Sequence, residues 1–537
     1  MIEQAAGTST PSIAVPAPGA PTAPSTPVTT APAPAPTVAA PTVPPPADTS
    51  TTVSGSAPAT PPPASDPARP PTDVVARVVG RVTFGATPEL LAEVAATGLD
   101  AWLESQLDPA SIDDPVDARL VAANPFLSAA NRENRERDSW PLRRDAQHVR
   151  VARAVGSRRQ IFEMVVEMWT DHFSIHFDDD WFATKVGDDR DVVRTHALGR
   201  FADLLLASAH SPAMLAYLDN ASSDANSTRG VNENYARELL ELHTLGIVDG
   251  APAYTEQDVR AVALVLSGWT IDDDWEFRYD PERHHEGPVQ VLGGAWTTPG
   301  RGGQDGYQDG VDLLGFLARR PQTARHVATR IARRFVADSP PTELVDRLAA
   351  AYLDADTDIA AVLRALFASA ELREAASPKL RRPLELLGAQ LRRYGAELAP
   401  TGEAKGSRTV RWMLERMGQL PFAWPAPNGY PDVAGYWTSA DGVLQRWATA
   451  AQVARGWIDG VDTSPARLWP AGPPATWADL VERIELALLD RPFAEADRAT
   501  ILSWAGHQPT DAFDADAEWA TRGVLALACT VPSFQFR

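Results

Sequence analysis

From Asp73 onward, apolar side chains recur every three or four residues, in stretches such as TDVVARVVGRVTFG, TPELLAEVAATGLDAWLESQL, DIAAVLRALFASAELREA and PLELLGAQLRRYGAEL. That spacing matches the turn of an α-helix, whereas the strict two-residue alternation of a half-buried strand is scarce. Thr, Ser or Asp opens many of these stretches and Gly closes several, as helix caps require. The expected fold is all-α: one large, mainly helical domain over residues 73–537, with long irregular loops and a small hairpin.

Residues 1–72 have a different composition. They are Pro, Ala, Thr and Ser with almost no aromatic or charged side chains, as in TAPAPAPTVAAPTVPPPADTS. Such a segment cannot bury enough apolar area to offset its ordering entropy, and its prolines favour extended conformations. A disordered tether or spacer is expected there. The start, MIEQAAGTSTPSIAVPAPGA, has no basic region followed by an apolar one, so no signal peptide is read, and no apolar run is long enough for a membrane span.

The formal net charge of -21 disfavours a scaffold for nucleic acid, which needs a surplus of Lys and Arg on at least one face. The single cysteine, Cys529, excludes an intramolecular disulfide framework and lies in the apolar run VLALACTVPSF, where a buried packing role is expected. No P-loop, dinucleotide fingerprint, nucleophile elbow or kinase signature is present.

Three segments carry residues suited to chemistry. In IFEMVVEMWTDHFSIHF, a continuous helix would place Ile161, Val165, Met168, Trp169, His172 and His176 on one inward stripe, with Glu163 and Glu167 pointing elsewhere. Two imidazoles four residues apart can reach one metal ion, although Phe173 stands where a zinc protease would carry its Glu. The plainer reading is a pair of core histidines bonded to buried carboxylates or carbonyls.

In TRGVNENYARELLELHTLG, His243 shares a face with Asn232, Ala236, Leu239 and Leu240, and Glu233, Arg237 and Glu241 stand four apart, the spacing of an ion-pair ladder. Between about 270 and 310 the helical pattern lapses into a long loop, expected to hold a short hairpin, that contains His284, His285 and Glu286. An exposed cluster of that kind binds metal adventitiously. The acidic triplets Asp178–Asp180 and Asp272–Asp274 lack the spacing of an EF-hand loop and read as solvated. His326, with Arg325, Arg330 and Arg333 around it, says little alone.

The segments RVTFGATPELLAEV, WTDHFS, NENYARELLELHTLGIVDGAPAYTEQDVRAVALVLSGWT, FRYDPERHHEG, TARHVATRIARRFVADSP, KLRRPLE, GQLPFAWPAPNGYP and VPSFQFR follow one another in this order. Together they resemble the bacterial domain-of-unknown-function 1800 family over nearly everything from Asp73 to Arg537. The resemblance implies a large, mainly helical domain of uncharacterised activity, often exported to the cell envelope and often encoded beside a sulfatase-like partner protein. Its pattern falls on His172, Asn232, Glu233, Asn234, Arg237, Glu238, Glu241, His243, Thr255, Trp269, His285 and His326. This chain departs from it in carrying His176, in carrying Glu286 where Asp is usual, and in lacking the usual export signal. A smaller similarity links TRGVNENYARELLELHTL to the helix of animal haem peroxidases that ends in HTL, with Arg229 to Glu233 one residue longer than in that motif.

Two functions from different classes follow. The first is a metal-assisted enzyme in which His172, His243 and His285 ligate a divalent ion and Glu233, Arg237 and Glu241 serve as catalytic base and anion stabiliser. The second is a non-catalytic envelope assembly or secretion partner that docks through the aromatic loop PFAWPAPNGYPDVAGYW. A haem-binding, peroxidase-like protein is a third reading.

Overall fold

Asp73 accepts a hydrogen bond from the Ala76 amide at 2.8 Å and so caps helix α1, Val74–Val82, whose Val78, Val79 and Val82 are buried. The computed structural model describes residues 73–537 apart from 178–180, 249–250, 375–376, 470–471, 490–491 and 515–516. The tail over residues 1–72 and the triplet Asp178–Asp180 therefore lie outside the described residues. Within them the α-helix is the dominant element, and the strands are three two-stranded hairpins of two or three residues each, so the fold is all-α as the spacing predicted. No helix among the described residues is long and apolar enough to cross a membrane.

The elements that matter for function follow in chain order. Helix α2, Ser139–Gly156, is followed by α3, Gln160–His172, every residue of which is buried. Helix α4, Asn234–Glu238, passes directly into a π-helical turn, Leu239–His243. The hairpin β1–β2, Ile247–Val248 with Ala251–Pro252, leads to α5, Glu256–Val265. There the Thr255 hydroxyl accepts from the Asp258 amide while the Asp258 carboxylate accepts from the Thr255 amide, the reciprocal cap readable from TEQD. The expected hairpin after it is β3, Trp269–Ile271, paired antiparallel with β4, Phe277–Tyr279, and a second one pairs β5, Gln290–Val291, with β6, Trp296–Thr297. Helix α6, Pro321–Phe335, buries Ala324, Val327, Ala328, Ile331 and Phe335 and packs along α7, Thr342–Asp354. Pro321 suits the first turn of α6, where its missing amide hydrogen costs nothing, and Arg333 and Arg334 suit the last turn, where cations meet the negative end of the helix dipole. Helix α8, Pro383–Arg393, completes the set.

Helix α3 stops at His172 because Phe173 leaves helical geometry, at φ -102 and ψ 58, and the chain turns so that the Phe177 amide bonds to the Phe422 carbonyl at 2.9 Å. His176 therefore lies beyond the helix, and the expected one-face pair of imidazoles does not form through α-helical spacing. Cys529 is free and fully buried, with its thiol pushed up by burial, as a packing role requires.

Candidate functional site

Three imidazoles from three separate elements meet in the core: His172 at the end of α3, His243 at the end of the π turn, and His326 on α6. The His172 ring centroid is 6.0 Å from that of His243 and 5.7 Å from that of His326. Aromatic rings enclose them, with Trp169 at 5.3 Å and Phe173 at 4.6 Å from His172, and Phe173 at 5.0 Å from His243.

The hydrogen bonds fix the tautomers. His172 Nε2 lies 3.1 Å from the His243 carbonyl, and His326 Nε2 lies 2.9 Å from the Leu242 carbonyl. A carbonyl oxygen can only accept, so each Nε2 carries the hydrogen and each Nδ1 of the neutral ring is left as a lone pair. His172 Nδ1 and both nitrogens of His243 are buried without a protein partner, as is the hydroxyl of Tyr235, whose ring is 6.3 Å from that of His243. Leaving such groups unbonded costs about 1–3 kcal/mol each, so a cluster of them calls for a reason other than stability.

Burial, then the charge of Arg330, keeps the rings neutral. His172 is pulled well below the ordinary imidazole value, His243 to about 3 and His326 to about 4, first by desolvation and then by the Arg330 guanidinium. Arg330 stands one helical turn after His326 and donates to the Asp171 carbonyl at 2.9 Å. A field that resists a proton on these rings also resists a divalent cation between them.

His326 also lines a cavity of about 340 Å³. One face of α6 forms its first wall through Gln322, Arg325, His326, Thr329 and Arg333. The opposite wall is Glu241 and Leu242 of the π turn, then Leu245 and Ile247. Gly246 makes this arrangement possible: its φ of +70 is left-handed, and a Cβ there would sit 2.6 Å from His326 Nδ1. A larger cavity of about 480 Å³, between Trp469 and Phe513, has Glu518 as the one ionisable group in its lining, so the chemistry favours the smaller one.

Of the residues that the sequence pointed to, His172 and His243 are brought together. His285 is held elsewhere, half-buried behind β4, with its backbone amide bonded to Ser267 Oγ at 2.9 Å, and it makes no ring contact with the other two. Its neighbour His284 is buried rather than exposed, with Nδ1 at 3.0 Å from the Ser267 carbonyl. Glu241 accepts from the Tyr254 hydroxyl at 2.7 Å and borders the cavity. Arg237 turns to Glu256, with both contacts at 2.7 Å, and only approaches Glu233, at 3.9 Å. Of the four-residue ladder the Glu233–Arg237 rung forms, loosely, while Glu241, in the π turn that adds a residue per turn, bonds the Tyr254 hydroxyl instead. Among the described residues, no group of three or more His, Cys, Asp or Glu side chains is arranged to hold a metal ion. Asp274 pairs with Arg132 at 2.6 Å, and Asp272 accepts the amides of Asp274 and Glu276 to shape the β3–β4 turn.

A second polar cluster is not marked by any spacing in the sequence. On the other side of α3, Arg382 lies 2.5 Å from Asp171 and 3.3 Å from Glu167, while Glu385 meets Arg334 at 2.7 Å and Arg537 at 3.2 Å. Lys379 bridges Asp338 at 2.7 Å and Asp432 at 2.9 Å. Burial alone would push Asp432 and Glu385 up, but the surrounding cations outweigh it and hold both below the usual carboxylate range. Glu167 is raised, by burial and then by Asp171. The segment KLRRPLE is visible as a motif, but nothing in its spacing points to α3. The aromatic loop expected to dock a partner is largely folded inward: Tyr430 and Trp437 pack on Leu380, while Val433 and Tyr436 are its exposed large apolar side chains.

The sequence pattern of the family described as protein of unknown function (DUF1800) matches residues 77–536 of the chain. The chain belongs to that family. No curated protein and no solved structure matches it.

Proposed function

We propose that the chain is an enzyme of acid–base type whose centre is His172, His243 and His326, reached by a small molecule through the cavity beside α6. The observation that carries this reading is that His326 belongs to both parts: it packs against His172 and it lines the cavity, with Nε2 held by a carbonyl and Nδ1 beside a residue that has no side chain. In this scheme His326 Nδ1 accepts a proton or a hydrogen bond from the ligand, and His172 and His243 are positioning residues that keep the surroundings polar and neutral. Glu241, at the opposite wall, is the second group that touches ligand. Residues 1–72 act as a tether, as their composition supports.

The test works on a substrate whose identity is unknown. Purified protein is incubated with a metabolite extract and the small molecules are profiled. A compound consumed by the wild type but not by His326→Gln supports the reading, and identical profiles for the two proteins overturn it.

The unbonded nitrogens of His172 and His243 favour a second reading, in which rotation of the rings joins His172, His243 and His326 in a divalent-metal site, with Glu233, Arg237 and Glu241 around it. Metal analysis of the wild type, His172→Ala and His243→Ala separates the two. Stoichiometric metal that both variants lose supports the metal site, and a metal-free wild type removes the ligand roles.

A further inference from the structure

On the acid–base reading just given, the two walls of the α6 cavity differ enough to specify a ligand class. Arg333 donates through Nε to the Asp338 carbonyl at 3.0 Å, and its two terminal nitrogens have no protein partner among the described residues. Arg325 pairs with Asp346, but the two side chains are 45% and 54% exposed, so water shares that contact and a ligand can displace it at small cost. The cavity therefore offers a carboxylate two guanidinium groups, one of them anchored and free at its fork.

The Glu241 carboxylate faces the same space. Glu241 has one oxygen on the Tyr254 hydroxyl and, among the described residues, no hydrogen-bond partner for the other. An ammonium group would satisfy that carboxylate. Leu242, Leu245 and Ile247 supply the apolar part of the lining, with Ile247 exposed at the rim.

We infer that the cavity binds an α-amino acid with an apolar side chain, the carboxylate on Arg333 and Arg325, the ammonium on Glu241, and the side chain on Leu242, Leu245 and Ile247. A volume of about 340 Å³ holds such a molecule with room for one further residue.

Calorimetric titration of the full chain with three probes tests this. Leucine carries all three features, 4-methylpentanoate lacks the ammonium, and 3-methylbutylamine lacks the carboxylate. Leucine should bind, each truncated probe should bind at least tenfold more weakly, Arg333→Gln should weaken leucine tenfold or more, and Glu241→Gln should weaken leucine but not 4-methylpentanoate. Arg325→Gln gives a second check on the cationic wall should Arg333→Gln fail to fold. The inference is overturned if leucine does not bind the wild type, if 4-methylpentanoate binds as tightly as leucine, or if leucine affinity is unchanged in the Arg333 or Arg325 variants. Leucine binding that survives in a His326→Gln protein with unaltered metabolite turnover would sink the acid–base reading alone. Turnover that depends on His326, with no leucine bound, would sink the ligand class alone.

Discussion

On one side of helix α3, Glu167 and Asp171 meet Arg382; on the other, His172 meets His243 and His326. Both clusters are buried and both are polar, yet they are balanced differently. In the ionic cluster each carboxylate lies against a cation, and Glu385 alone gathers Arg334 and Arg537. Both clusters hold buried polar atoms without a hydrogen-bond partner, but in the imidazole cluster the rings are neutral and the nearest charge, Arg330, repels protons from them. A cluster whose charges are matched ties distant segments of chain together. A cluster left open beside a cavity retains capacity for something that is not part of the chain.

Removing one member of the matched cluster should have the largest effect. Arg382→Met leaves Glu167 and Asp171 buried without their cation, and should cost about 3–5 kcal/mol in urea unfolding. A loss under 1 kcal/mol would show that this side is not balanced as described. Gly246→Ala, on the open side, places a Cβ against His326 Nδ1 at a left-handed backbone position, and should cost about 1–2 kcal/mol while shifting the ring resonances of His326. His243→Phe, by contrast, removes two unbonded nitrogens and keeps a ring, so stability should change by less than about 1.5 kcal/mol in either direction. A larger loss would mean that His243 is bonded and that the two sides are alike.

The two clusters should also separate on acidification. Imidazoles whose folded-state proton affinity is depressed bind fewer protons than in the unfolded chain. Stability therefore falls as pH drops below about 6.5, until the folded values of about 4 for His326 and about 3 for His243 are reached. His148, His196, His210 and His284, also lowered by burial, add to the same slope. His243→Phe should remove about one proton from it, ~1.4 kcal/mol per pH unit between about pH 6 and 4. Glu385 and Asp432 of the ionic cluster act in the same direction but lower, because they take up protons only below the usual carboxylate range, whereas Glu167, raised by burial and then by Asp171, acts in the opposite direction. The smallest effect belongs to neither cluster: Arg364→Ala breaks an exposed pair with Glu104 and should change stability by less than about 1 kcal/mol.

Much of the scaffold was legible in the chain because it depends on neighbours in sequence. The cap of α5 and the inward His243 follow from spacings of three and four residues, and a hairpin between about 270 and 310 from the lapse of the helical pattern there. What was not legible depends on contacts across the fold. Helix α3 ends at His172 because Phe177 finds Phe422, and no local signal near His176 encodes that partner. The π turn that redirects Glu241 changes the backbone ladder by one residue, which side-chain periodicity does not register. His326 was visible as a motif position, but its role rests on the Leu242 carbonyl and on the missing side chain of Gly246, and neither leaves a trace in the residues around it.

His172, His243 and His326 stay neutral on this view, with lone pairs held open at Nδ1 of His172 and His326. Nitrogen-15 spectra of the histidine rings, followed from about pH 8 to pH 5, test it most directly. All three rings should remain neutral throughout, with His172 and His326 protonated on Nε2; a ring among the three that turns to imidazolium near the ordinary value of about 6.5 would contradict it.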